Sequence, residues 1–226
     1  MTSLMDRRRA VWELAILLAA MLGHLWTDSR YLLPKPVRQL NTVLLATLAL
    51  GILLRQRPSR EDFGFAPRSW LDGVPLLAAG TGCGMLVLLG VGLMAGTVGS
   101  FQGLFAWQIE NLHQQAFQQV LLQVLLVPRC CWLLSSKEGM PSNGWGPAVL
   151  AASIFALVHA PNVPLMIFSG LAGLGWVIWF QKHPNLPAVW ISHALLAGTA
   201  LATIHPFLGR LRVGIGYLWS SRDVLP

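Results

Sequence analysis

"HQQAFQQVLLQVLLVPR", His113 to Arg129, sets five glutamines and a histidine into a run whose other half is leucine, valine and phenylalanine. So apolar a helix belongs in a bilayer, and amides in a bilayer need partners. At roughly 100° per residue, Gln115, Gln118, Gln119 and Gln123 fall within an arc of about 140°, while Val120, Leu121, Val124 and Leu125 occupy the other side. The helix therefore carries a polar stripe, and the stripe is expected to face protein or water rather than lipid.

The rest of the chain agrees with that setting. Hydrophobic residues make up 54% of the sequence, charged residues only 11%, and the mean hydropathy is +0.58, a membrane protein's profile. Nearly charge-free windows run over residues 10–26, 40–54, 74–98, 116–134, 147–160, 164–180 and 188–204. They predict an all-α, multi-pass helical bundle of about seven embedded helices forming one membrane domain over residues 1–226. Glu13 and His24 interrupt the first window and no small-residue cleavage site follows, so it reads as a retained span rather than a signal peptide. Short connections rich in glycine and proline, "MPSNGWGP" and "QKHPNLP", favour antiparallel packing of the later helices.

The net charge of +7 is assigned to topology and lipid headgroups, with no nucleic-acid partner, because the basic residues lie between apolar windows. Arg7, Arg8 and Arg9 precede the first window, and with the amino terminus inside, the inner loops also receive Arg55, Arg57, Arg60, Arg68, Lys137 and Lys182. Arg30, Lys35 and Arg38, and the tail residues Arg210, Arg212 and Arg222, oppose that orientation. Trp26, Trp70, Trp107, Trp132 and Trp145 fall near window edges and read as interface anchors. Cys83 and the adjacent Cys130 and Cys131 form neither a zinc-ligand spacing nor a CxxC pair.

Two more polar residues lie deep in later windows: His159 in "SIFALVHAPN" and His193 in "AVWISHALLAG". Each has a bland reading as a hydrogen-bonded core residue, and glutamines on their own commonly just join helices. Polar features in three separate helices point instead to a site, because intramembrane polar groups are costly.

In order and spacing these residues resemble the CPBP family, the CAAX-protease and bacteriocin-processing (Abi) intramembrane endopeptidases, over residues 60–204. That family's pattern is a glutamate pair with an arginine four positions after the second, then FxxxH, then histidine with Asn or Asp four positions on. Gln118, Gln119 and Gln123 stand in the first place, Phe155 and His159 in the second, and His193 in the third. "EDFGF" at 61–65 is similar to the segment before the family's core. The departures are the two glutamines for glutamates, Gln123 for arginine, and Ala197 four positions after His193.

The resemblance implies a membrane-associated or lipidated peptide substrate and a bacterial inner membrane, while composition gives the membrane-lipid setting and the loop charges favour a cytoplasmic amino terminus. In active relatives a glutamate helped by histidines is thought to activate water, with a metal-dependent route debated. A glutamine has no useful basicity near neutral pH, but it can hold a water or a substrate amide. One expectation is altered proteolysis, with His159 or His193 as base and Gln118 and Gln119 orienting water or the scissile amide, supported by Gln123 and Phe155. The other is a pseudoprotease or immunity-type binding protein of the same fold. No cofactor is expected, and no metal, since two histidines lack a third donor. Glu110 lies eight residues before Gln118, about 12 Å along a helix, too far to replace the missing acid. A small transporter, with Glu13, the glutamines and the histidines lining a path, is a different class, but no paired inverted halves support it.

Overall fold

A computed structural model describes residues 7–27, 34–65, 71–99, 112–134, 144–204 and 213. Each of the seven apolar windows is a helix: α1 (Arg7–Thr27), α2 (Lys35–Gln56), α3 (Val74–Met94), α4 (Leu112–Leu133), α5 (Trp145–Leu157), α6 (Val163–Lys182) and α7 (Leu186–Ile204). Five contain stretches long and apolar enough to cross a membrane: α2, α3, α4, α6 and α7. The chain is thus an all-α bundle with the character of an integral membrane protein. The 13 residues of α5 span only about 20 Å, so α5 reaches part-way into a hydrocarbon layer about 30 Å thick. Trp70, Trp107, Glu110, Arg30, Arg68, Lys137, Arg210, Arg212 and Arg222, and the side chains of Arg7, Trp26, Lys35 and Arg38, lie outside the described residues.

α4 runs through the middle of the bundle. Leu121, Leu122, Val124, Leu125, Leu126 and Val127 are all buried, enclosed by residues of α1, α2, α5 and α6. α2 and α3 instead turn most of their surface outward, with Leu40, Val43, Leu44, Leu50, Leu54, Leu76, Leu86 and Val87 exposed as lipid-facing side chains should be. α5 packs along α6 and α3 along α7. Small residues permit the second contact: Gly84 faces the Leu196 side chain, and Gly92 lies against the backbone and Cβ of Thr203, with no room for a Cβ of its own.

Two "PNxP" sequences, at 161–164 and 184–187, open the last two helices by the same device. Asn162 Oδ1 accepts from Leu165 N at 3.1 Å and Asn185 Oδ1 from Ala188 N at 3.0 Å, so each asparagine satisfies an amide that a helix start leaves unpaired. The proline that follows supplies no donor and sits in the first turn, where none is missed. Both asparagines are buried, so water is not there to do the same work.

The "EDFGF" segment closes onto the second of these starts. Phe63 O accepts from Leu186 N at 3.3 Å, and Gly64, at φ 69°, lies against the backbone of Pro184 and Asn185, where a side chain would collide. Gly73, at φ 76°, abuts the His183 ring, and its carbonyl accepts from Trp179 Nε1 at 3.0 Å. The connection from α2 to α3 is thereby tied to the turn before α7.

Within α4 the residues Val120–Leu126 form a π-helical segment rather than a regular α-helix, and Val127 N–H donates to Leu122 O, five residues back. The sequence reading did not foresee this, although Pro128 supplies a reason. A proline inside an α-helix lacks a donor and its ring presses on the carbonyl four residues earlier, here Val124. Widening the preceding turn by one residue moves that carbonyl away. Such segments recur at functional sites.

Candidate functional site

Gln119 directly precedes the π-helical stretch and Gln123 lies within it. Gln119 is fully buried and its side chain lies 3.2 Å from His193 Nδ1. Gln123 Nε2 donates to Gln119 Oε1, also at 3.2 Å. With the amides in that orientation, Gln119 Nε2 is the donor to His193 Nδ1, so that ring nitrogen accepts and Nε2 carries the proton.

His159 is held differently. It sits just beyond the end of α5, in a turn where its N–H donates to Ala156 O and its own carbonyl accepts from Asn162 N. Its Nδ1 lies 2.7 Å from Phe155 O. A carbonyl can only accept, so Nδ1 carries the proton and Nε2 keeps its lone pair. The two imidazoles are therefore set in opposite tautomers.

Aromatic rings fix both in place. Phe155 stands edge-on to His159 at a centroid distance of 5.0 Å and to His193 at 6.3 Å, while Trp176 lies 4.6 Å from His193. Trp176 is itself anchored, since its Nε1 donates to Ser192 Oγ at 2.9 Å and that hydroxyl is 2.7 Å from Thr81 Oγ1. α3, α6 and α7 thus converge on the wall behind His193. His193 is nearly enclosed, whereas His159 remains partly exposed and is the more approachable ring.

Of the residues expected from the sequence, Gln119, Gln123, Phe155, His159 and His193 come together. Gln118 is only partly buried and makes no hydrogen bond among the described residues. The buried face of the stripe is instead Gln115, Gln119 and Gln123, at i, i+4 and i+8. No Asp or Glu among the described residues hydrogen-bonds to the cluster, and no three His, Cys, Asp or Glu side chains among them gather as metal donors. The donor set of two imidazoles and neutral amides does not suit a zinc site, which wants three protein ligands.

A second polar cluster escaped the sequence reading in part. Arg129, fully buried at the end of the opening stretch, donates from Nη2 to Glu13 Oε2 at 2.6 Å and from Nη1 to the carbonyl of Leu125, and Arg9 Nε holds the other Glu13 oxygen at 2.8 Å. With its amide turned to present oxygen, Gln56 accepts from the same guanidinium, at 2.6 Å from Nη2. Glu13 is thereby engaged with arginines of α1 and α4 rather than with the histidines. The signal was available, since an acid alone in one apolar span and an arginine alone in another predict each other.

Comparison with family models, curated proteins and solved structures finds no match for the chain.

Proposed function

We propose that the chain is a CPBP-like intramembrane endopeptidase that processes membrane-associated or lipidated peptides with a histidine pair where its relatives use glutamate. The observation that carries this reading is the opposed setting of the two rings: Phe155 O leaves His159 Nε2 free to accept a proton, and Gln119 leaves His193 Nε2–H free to donate. A base in the turn after α5 and a proton donor on α7, each oriented by a third group, are the parts that water attack on an amide requires.

In this mechanism His159 Nε2 takes a proton from water as the water oxygen bonds to the scissile carbonyl carbon. His193 Nε2–H stabilises the resulting oxyanion. Collapse breaks the C–N bond, and the His159 imidazolium returns its proton to the departing amine, giving a carboxyl group and an amine. Gln119 and Gln123 position His193, and Phe155 positions both rings. Gln118, on the partly open side, can orient the water. The basic start at Arg8 and Arg9 supports a cytoplasmic amino terminus, and the family resemblance supports a bacterial inner membrane.

That no carboxylate among the described residues joins the cluster favours a second reading, in which the site binds such peptides without cleaving them. The test compares processing of membrane-anchored reporter peptides by the native chain, His159→Ala and Gln119→Glu. Native cleavage that falls by about 10²-fold or more in His159→Ala supports the histidine mechanism. A silent native chain that gains cleavage in Gln119→Glu overturns it in favour of binding alone.

A further inference from the structure

The face of α4 that meets α7 is paired at both ends and unpaired in between. Near its start, Trp190 Nε1 donates to Leu112 O at 2.9 Å. Two turns on, Gln119 meets His193. Gln115 lies on the same face between these contacts, three residues after Leu112 and four before Gln119, and is only 4% exposed. Yet among the described residues neither Nε2 nor Oε1 of Gln115 has a hydrogen-bond partner, and Gln123 Oε1 has none either. A buried amide left unpaired is destabilising, and a helix in lipid, with no water to pair it, has every reason to avoid one. An apolar residue at this position would remove the cost.

We infer that Gln115 is a substrate subsite, its carboxamide pairing with the backbone N–H and C=O of one extended residue of the bound peptide; the inference rests on the peptide-processing reading above. The chemistry of the unpaired atoms selects the ligand. Gln115 offers a donor and an acceptor in one plane, which complement the C=O and N–H of an extended peptide. A lipid ester carbonyl accepts only and leaves Oε1 unpaired. Gln115 and Gln119 are separated by about 6 Å along the helix, the length of about two extended residues. The residue that Gln115 holds is therefore about two residues from the bond presented to His159 and His193.

The experiment uses the full chain in phosphatidylcholine bicelles with an apolar, membrane-spanning alanine-leucine peptide carrying a central diazirine. Crosslinking is mapped, and melting temperature is measured, for the native chain, Gln115→Leu and Gln115→Met. The inference predicts that the native chain labels at the α5–α7 histidine region, and that both variants lose about tenfold in labelling at equal or higher melting temperature. An ester in place of the peptide N–H two residues from the diazirine should reproduce the loss in the native chain and add little in the variants. Undiminished labelling in Gln115→Leu overturns the subsite while leaving the peptide-binding reading intact. A lower melting temperature in both variants overturns it too, because the amide then has a structural partner such as a water. No labelling of the native chain at the histidines counts against the underlying reading itself.

Discussion

Glu13 and Arg129, 116 residues apart in sequence, meet at 2.6 Å with the guanidinium wholly out of contact with solvent. The pair ties α1 to the C-terminal part of α4, and Gln56 brings α2 to the same point. Because Arg129 also donates to Leu125 O, the charge cluster grips the π-helical segment that carries Gln123.

Removing Glu13 leaves the buried Arg129 charge without its acidic partner, and removing Arg129 leaves Glu13 only part-compensated, by Arg9. Glu13→Gln and Arg129→Met should each destabilise the chain by about 3–5 kcal/mol, whereas the double variant should recover much of that loss. Unfolding in mild detergent, followed by helical circular dichroism, measures all three. Single variants of native stability would mean that the pair does not hold the helices together.

Pro128→Ala tests the origin of the widened turn. Alanine restores the missing N–H and removes the pressure on the Val124 carbonyl, so the segment Val120–Leu126 should relax toward regular α-helix. Residues before and after it then rotate relative to one another, and Gln119 and Gln123 lose register with His193. The expected outcome is unchanged or higher thermal stability with peptide processing or labelling reduced by about tenfold, since one misplaced contact of this kind is worth about 1 kcal/mol or more. Undiminished processing alongside a regular helix would separate the π segment from function.

The bundle was legible in the sequence because lipid imposes a simple demand: every span must be apolar and helical, and each of the seven windows is a helix. The amide stripe was legible for the same reason. What periodicity could not fix was the phase of the stripe within α4, because Pro128 alters the turn just where Gln123 lies. Before that turn, Gln118 stands aside, about 100° round the helix from the buried Gln119, and Gln115 is enclosed. The long-range pairs, Glu13 with Arg129 and Thr81 with Ser192, depend on which helices touch, and single-chain spacing does not encode that.

Ser192→Ala should act on the site without touching the reacting groups. It removes the acceptor for Trp176 Nε1 and the partner of Thr81 Oγ1, leaving a buried donor unpaired and freeing the ring that packs on His193. A loss of about 1–3 kcal/mol in stability is expected, with a larger fall in processing than in Gln118→Ala. Thermal unfolding and processing rates, taken together, check this; equal processing in the two variants would remove Trp176 from the account.

The central claim is that α4, α5 and α7 bring their amide and imidazoles to one spot inside the bilayer. Solid-state NMR on the chain in lipid, isotope-labelled at glutamine and histidine, tests it most directly. The account predicts a through-space contact between the Gln119 side-chain amide and the His193 ring consistent with 3.2 Å, together with a His159 ring protonated at Nδ1. Imidazoles that show no such contact and exchange magnetisation chiefly with acyl chains would contradict it.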